Sequence, residues 1–231
     1  MYLQNYTDKD TGEFYSHPIG AFYGYESDGF YEASDFNEDG SLKDGIPYST
    51  LNDVQAGDVK YVDQNGDGKI DSYDKKYFDY NSTPDFVFGL QLGLKWKNFG
   101  MEASFNGALG AWTSLTLSSI YQPLYNNDKN ISQYAWENCW RADGSNPNPK
   151  YPRLTTLSNN NNYASSDLWW SRRDYFKLRN LMVWYDFKDF RLFLRGGNLF
   201  SIDTINILDP EDISMGYPSM RNFQVGLKYR F

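Results

Sequence analysis

The sequence has one cysteine, Cys139, and one histidine, His17, in 231 residues. A single cysteine excludes an intrachain disulfide framework and a cysteine-based zinc site, and a single histidine excludes a histidine-rich metal cluster. Basic residues are also scarce. The 22 Lys and Arg stand against 30 Asp and Glu, for a formal charge of −8 and a pI near 4.7. Nucleic-acid binding needs clustered Lys and Arg, so this balance argues against it. No run of 18 apolar residues is present, so no transmembrane helix is expected. The opening MYLQNYTDKD has neither a basic n-region nor an apolar h-region, and no signal peptide is expected from it. What the chain has in excess is aromatic rings: 7 Trp, 20 Tyr and 16 Phe make up 19%. A mean hydropathy of −0.69 would ordinarily place it among soluble or partly disordered chains, but disorder goes with few aromatics. The length suffices for one large domain or two small ones with a real core.

Charge is unevenly spread. Residues 1–84 carry 17 Asp/Glu against 6 Lys/Arg, a net of −11, whereas 85–231 carry 13 against 16, a net of +3. The acidic part is rich in Gly, Asp and Asn and reads as a long, solvated, irregular region with a few short strands. The expected division is therefore an acidic region over 1–84 and a strand-bearing region over 85–231.

From Phe86 the texture becomes period-2. In FVFGLQLGLKW, Phe86, Phe88, Leu90, Leu92, Leu94 and Trp96 share one face, while Gly89, Gln91, Gly93 and Lys95 fall on the other. Such alternation predicts a strand with one apolar and one small-or-polar face. A turn at Lys97-Asn98 leads to a second strand over 99–110, with Phe99, Met101, Ala103 and Phe105 in phase. Further strands are predicted over 175–187, where the phase is blurred, over 190–197, and over 222–231. The second tight turn is Lys188-Asp189, and the last strand places Phe223, Val225, Leu227, Tyr229 and Phe231 on one face.

Two readings compete. One is a soluble antiparallel β protein with one face on its core. The other is an all-β, antiparallel transmembrane β-barrel segment, whose strands alternate apolar-out and polar-in and carry aromatic girdles. Aromatics at strand ends (Trp96, Phe99, Phe187, Phe190, Tyr229, Phe231) and polar faces bearing Gly, Gln, Lys and Arg favour the barrel. So do the connections, which alternate between tight turns and the long loops 111–174 and 198–221, as short periplasmic turns and long extracellular loops would. On this scheme the long loops and the 1–84 region are extracellular. Gln91, Lys95, Glu102, Arg191 and Arg195 are then lumen-facing candidates. About five strands cannot close a barrel around a lumen, so the remaining wall is expected from elsewhere.

The sharpest local motif is DQNGDGKIDSYD, 63–74. Asp63, Asn65, Asp67, Lys69, Asp71 and Asp74 occupy positions 1, 3, 5, 7, 9 and 12 of an EF-hand-type loop, with Gly68 at the sharp turn of position 6. Alternating oxygen ligands wrap Ca²⁺, and position 7 offers only its carbonyl, so Lys69 is tolerated. The alternative is an acidic turn with no ion. A Ca²⁺ bound there would be structural. Asp at position 12 shortens the bidentate reach, and no helical pattern flanks the loop.

Several stretches together resemble the SusC/RagA-type TonB-dependent outer-membrane transporters. They are PIGAFYGYESDGFY (18–31), AGDVKYVDQNGDGKIDSYD (56–74), PDFVFGLQLGLKWKNFGMEASFNGALG (84–110), Trp140 to Thr155, RLFLRGGNLFSI (191–202), DPE (209–211) and YPSMRNFQVGLKYRF (217–231). The resemblance covers nearly everything from His17 onward and departs from the family pattern at FKLRNLMVWYDF. It implies the last five or so strands of a barrel of about 22 with an internal plug. It implies nutrient import, energised by the TonB system through an N-terminal part not in this sequence, at the outer membrane of a Gram-negative bacterium. A SusD-like lipoprotein would be the partner and oligosaccharides or peptides the substrates. The terminal Val225, Leu227, Tyr229 and Phe231 resemble the aromatic signal that outer-membrane assembly reads. Such a piece would not transport alone.

Other classes fit less well. Cys139 has no histidine near it in sequence and reads as a partly buried thiol in a short helix-like stretch, so no catalytic residue is assigned and no enzyme is expected. His17 reads as a solvated loop position before Pro18. The alternative function is a secreted or surface calcium-stabilised β-sheet carbohydrate-binding module, with Tyr121, Tyr125, Trp136, Trp140, Trp169 and Trp170 stacking on sugars. For any one of those rings the favoured reading is a hydrophobic anchor that holds a long loop together.

Overall fold

The computed structural model describes residues 3–7, 14–115, 130–205, 208–212 and 219–229. The first strands are short: β1 (Leu3–Thr7), β2 (Phe14–Pro18), β3 (Ala21–Gly24), β4 (Ser27–Phe30), β5 (Tyr48–Ser49), β6 (Val59–Tyr61), β7 (Lys69–Ile70) and β8 (Lys76–Asn81). Then come β9 (Phe86–Trp96), β10 (Phe99–Leu109), β11 (Trp112–Ser114), helix α1 (Gln133–Asn138), β12 (Trp170–Arg172), β13 (Tyr175–Phe187), β14 (Phe190–Asp203) and β15 (Asn222–Tyr229). No helix among the described residues is long and apolar enough to cross a membrane.

Two compact units result, one drawn from 1–80 and 114–170 and the other from 81–113 and 171–231. This division differs from one made at residue 84, since described residues of 114–170 pack with the acidic region. The reason is a buried polar network. Asp58, fully buried, accepts from Asn159 Nδ2 at 3.2 Å, Asn162 Nδ2 at 2.8 Å and the backbone N–H of Gln55 at 2.9 Å, and pairs with Arg153 Nε at 2.7 Å. Asn161 Nδ2 donates to the Val59 carbonyl, and Tyr61 Oη donates to the Asn161 carbonyl, each at 2.7 Å. A buried carboxylate is tolerated only when paired in this way. Beside this network, Tyr25, Val59, Tyr61 and Ile70 form the unit's apolar core.

The strand unit is a five-stranded antiparallel sheet in the order β15-β14-β13-β10-β9. The two-residue turns at 97–98 and 188–189 each begin with a lysine in the left-handed region, Lys97 at φ 53° and Lys188 at φ 49°. β14 runs on to Asp203, beyond the 190–197 that alternation predicts. Gly196-Gly197-Asn198 looks like a turn but is a bulge, with Asn198 at φ 51°. The blurred phase of β13 has the same kind of cause. Its pairing shifts register between Leu178 and Asn180, so Arg179 is an extra residue relative to β10. The apolar series therefore runs Tyr185, Val183, Leu181 and then Leu178, Phe176.

Aromatic plates cover glycines on the neighbouring strand. A side chain at Gly100 would meet the Trp184 ring at 2.1 Å, and one at Gly226 would meet Phe193 at 2.2 Å. Gly100 and Trp184 are directly opposed in the ladder, as are Phe193 and Gly226. These pairs pin the register from side to side.

Candidate functional site

The sheet has two chemically opposite faces. On one, Leu90, Leu92 and Leu94 of β9 lie in register with Phe105, Ala103 and Met101 of β10, and the series continues through Val183, Leu194 and Val225. This aliphatic band is exposed; Leu92 is 47% and Val225 76% accessible. It is bounded by aromatics at both ends. At the turn end stand Trp96, Phe99, Tyr185, Phe190 and Tyr229, the last two with ring centroids 4.9 Å apart. At the loop end Phe88 and Phe105 stack on Phe176 at 6.0 and 5.3 Å, and Phe200 lies tilted against Phe176 at 6.3 Å. A bare aliphatic band between two aromatic belts is the surface that lipid selects.

The opposite face is polar. Gln91, Glu102 and Arg195 line a concavity of about 510 Å³ with Ser104, Asn180 and Met182. Asn180 Nδ2 donates to Ser104 Oγ, and Arg195 Nη2 donates to Asn180 Oδ1, each at 3.3 Å. Lys95 and Arg191 sit nearer the turns. Arg191 makes a two-pronged pair with Asp186 at 2.7 and 2.9 Å, and its guanidinium lies 4.9 Å from the Trp184 ring centroid. All five lumen-facing candidates thus share one face, although only three line the concavity.

A second cluster on this face carried no role in the sequence reading. The 208–212 segment is bound to it by the acidic residues of DPE. Lys177, 5% accessible, pairs with Asp209 and, at 2.9 Å, with Glu211 Oε2. Arg179, supplied by the bulge, pairs with Glu211 and donates through Nε to Asn106 Oδ1 at 2.8 Å and through Nη1 to Asn198 Oδ1 at 3.3 Å. Tyr175 Oη donates to Glu211 Oε1 at 3.0 Å, and Asn198 Nδ2 donates to the Met220 carbonyl at 3.2 Å. Burial pushes the Asp209 carboxyl up. Hydrogen bonds from Lys177, Ser219 and the Glu211 N–H outweigh that and hold it at about 2. Glu211 is lowered in the same way, with burial opposed by Lys177 and Tyr175. The signals available in the sequence were the blurred phase of 175–187 and the DPE tripeptide itself.

In the acidic unit the 63–74 loop is closed on itself. Asp63 accepts from the N–H groups of Gly66 at 2.7 Å and Gly68 at 2.8 Å, and Gly68 has φ 82°. Asn65 accepts from the Asp67 N–H, and Asp67 from the Lys69 N–H. Buried Asp74 takes the N–H groups of Gln64 and Asp71 on its two oxygens. The Lys69 ammonium reaches Asp71 at 2.8 Å and Asp67 at 3.5 Å. Backbone donors, led by Gly68, hold the Asp63 carboxyl below its ordinary range, as Lys69 does for Asp71. Among the described residues no three His, Cys, Asp or Glu converge as a ready metal site. The oxygen donors are of the type a hard cation takes, but they are turned onto the backbone and Lys69.

The aromatic candidates divide by burial. Trp169 is buried, stacks on Tyr151 with centroids 5.4 Å apart, and donates from Nε1 to the Asn162 carbonyl at 2.8 Å. Trp170 is buried against Phe22 and Phe78, and Trp140 packs over Gly57. The buried Trp169 and Trp170 rings anchor loops and are not presented for stacking on a sugar, whereas Trp140 is half-buried. Trp136 is exposed, with the Arg141 guanidinium 4.4 Å from its ring centroid. Tyr121, Tyr125 and Phe231 lie outside the described residues, whereas Val225, Leu227 and Tyr229 lie along β15. His17 is not solvated. It lies in β2, buried, stacked 3.7 Å from the Tyr77 ring, because an imidazole face is better covered by an aromatic than by water. Cys139 caps α1, buried, its thiol donating to the Trp136 carbonyl at 3.3 Å.

No family profile matches the chain. Individual relatives do. TonB-dependent receptor P3 of Formosa agariphila is 25% identical over 240 residues, which is 92% of this chain and 22% of the receptor. TonB-dependent receptor SusC of Bacteroides thetaiotaomicron is 25% identical over 193 residues, 74% of this chain and 17% of SusC. The RagAB peptide importer in its open-open state matches with a TM-score of 0.62 and 18% identity over 99% of this chain and 24% of that one. The chain is thus similar to one part of TonB-dependent receptors, SusC among them. It spans about a fifth of the length of the curated relatives it matches. The structural likeness fixes the fold of the segment as part of a β-barrel wall. In a β-barrel wall a bare apolar face of this kind suits lipid, and here the polar face with Gln91, Glu102 and Arg195 is turned the other way.

Proposed function

We propose that this SusC/RagA-type segment supplies adjacent wall strands at the C-terminal end of a TonB-dependent nutrient importer in the outer membrane of a Gram-negative bacterium. The observation that carries the reading is the two-faced sheet, with an aliphatic band between aromatic belts outside and a hydrogen-bonding polar surface inside. The long loops are extracellular, and a SusD-like lipoprotein closes the mouth above them. Gln91, Lys95, Glu102, Arg191 and Arg195 border the path, whose amide, carboxylate and guanidinium groups suit oligosaccharides or peptides. The names of SusC and the RagAB peptide importer support that choice. Nothing in the segment is assigned to catalysis.

The test is uptake by cells carrying the full-length protein. Deleting the gene, or deleting TonB, should abolish uptake of the same oligosaccharide or peptide. Uptake that persists without TonB would refute the proposal.

A structural Ca²⁺ in the 63–74 loop belongs to the same reading. Its support is the spacing of oxygen donors and the turn at Gly68. Asp63, Asn65, Asp67, Asp71, Asp74 and the Lys69 carbonyl would hold the ion, which would tie down an acidic loop. A calorimetric titration of the full-length protein with Ca²⁺ should give heat and a higher Tm; a flat titration with unchanged Tm would discard it.

A further inference from the structure

The polar clasp around Arg179 is more elaborate than a loop anchor requires. An anchor needs one or two contacts. Here two cations, one of them nearly buried, and a tyrosine hydroxyl, all from β13, converge on two carboxylates of a tripeptide, while asparagines of β10 and β14 accept from one of the cations, Arg179. The contact is built into the backbone of both strands. The β13 bulge inserts Arg179 and leaves Asn180 facing Ser104 on the polar face. In β14, Asn198 in the left-handed conformation brings its amide to Arg179 and Met220, while Leu199 lies over Gly196. A Cβ at Gly196 or Gly197 would stand 2.6 Å from the end of the Leu199 or Asn222 side chain, which would have to shift. Pro210, between the two acids, is buried.

We propose that 208–212 is a strap folded onto the polar face at its loop end, and that Lys177 and Arg179 are the positioning residues that fasten it there. The strap is part of the connection between β14 and β15, which would otherwise be free to extend away from the sheet. With the strap fastened, the loop-end cross-section of the path is set by Leu208, Pro210 and Asp212 together with the strand side chains. Charge complementarity does the fastening, since charge-assisted hydrogen bonds in a shielded site are the strong ones. Calling this face the path rests on the importer reading; the fastening itself does not.

The experiment uses the full-length protein in outer membranes, in a background free of other accessible thiols, with Cys139 changed to Ser. A thiol is introduced by Pro210→Cys and challenged from outside with a membrane-impermeant maleimide. With the clasp intact, labelling is slow. Glu211→Gln keeps the shape and removes the charge shared by Lys177 and Arg179, and should speed labelling by about tenfold or more, as loss of charge-assisted hydrogen bonds allows. Folding of each variant is checked by the mobility of unheated samples on gels. Should Glu211→Gln fail to fold, Arg179→Lys, which keeps the charge but loses the fork to Asn106 and Asn198, gives the same comparison. Labelling as slow in the opened variants as in the intact protein overturns the strap. TonB-independent uptake by the unmodified protein would overturn the importer reading and leave these labelling rates as they are.

Discussion

Replacing Leu92 by arginine tests the membrane assignment most directly. Leu92 sits on the apolar face, opposite Ala103, midway between Phe88 of one aromatic belt and Trp96 of the other. Four residues separate it from each belt, about 13 Å along the strand at roughly 3.3 Å per residue. A tilt of about 45° reduces that to about 9–10 Å of depth, which places Leu92 near the bilayer midplane. An arginine at that depth costs about 2–4 kcal/mol, whereas at an interface it costs about 0–1 kcal/mol. Leu92→Arg should therefore weaken folding into lipid by about 30- to 1,000-fold, taking about 1.4 kcal/mol per factor of ten. Trp96→Arg and Gln91→Arg are the controls, the first at the belt and the second one residue away on the polar face. The assay is equilibrium refolding of the full-length protein into vesicles from urea, read by the mobility of unheated samples. If Leu92→Arg refolds as well as Gln91→Arg, the apolar face does not meet lipid and the reasoning fails.

Three further outcomes are expected. Asp58→Ala strips the acceptor from Arg153, Asn159 and Asn162, and removing one member of a buried pair costs about 3–5 kcal/mol; limited proteolysis should cut the acidic unit at lower denaturant. Gly57→Ala should lower Tm more than Gly40→Ala. Both glycines have positive φ, 89° and 83°, but only at Gly57 would a Cβ strike Trp140, at 2.3 Å, and equal Tm losses would discount that contact. The Asp209 carboxyl is lower in the folded state, about 2, than its ordinary 3.8. A depressed acid stabilises in full above its unfolded value and loses that contribution as pH falls through the folded one. Labelling of the Pro210→Cys thiol by an acid-tolerant dipyridyl disulfide, taken relative to the same thiol in the Glu211→Gln variant, should therefore stay slow from pH 8 to about 5 and reach the variant's rate between about 4 and 2; a rise beginning near neutrality would contradict it.

Much of this was legible from alternation alone. In β9 and β10 every second side chain is apolar, and a strand must put such a set on one face. The tight turns at 97–98 and 188–189 were marked by the short breaks between alternating runs. The bulges were not. Gly196-Gly197-Asn198 has the chemistry of a turn, and only pairing with β13 shows that the strand continues. The phase of 175–187 was blurred for the same reason, since one extra residue changes which parity faces lipid. His17 misled in the opposite direction. A polar residue just before Pro18 in an acidic region reads as solvated, yet it is buried because the Tyr77 ring covers it.

By itself the sequence determined that the chain is all-β, that its long strands have opposite faces, and that the acidic excess lies in the first third. Those properties follow from side-chain periodicity and charge, which are local. The tertiary structure decided the pairing order, the attachment of 114–170 to the acidic unit, the two aromatic belts and the clasp on Asp209 and Glu211. These depend on contacts between residues tens to a hundred positions apart, and no spacing along the chain encodes which cation a distant carboxylate will meet.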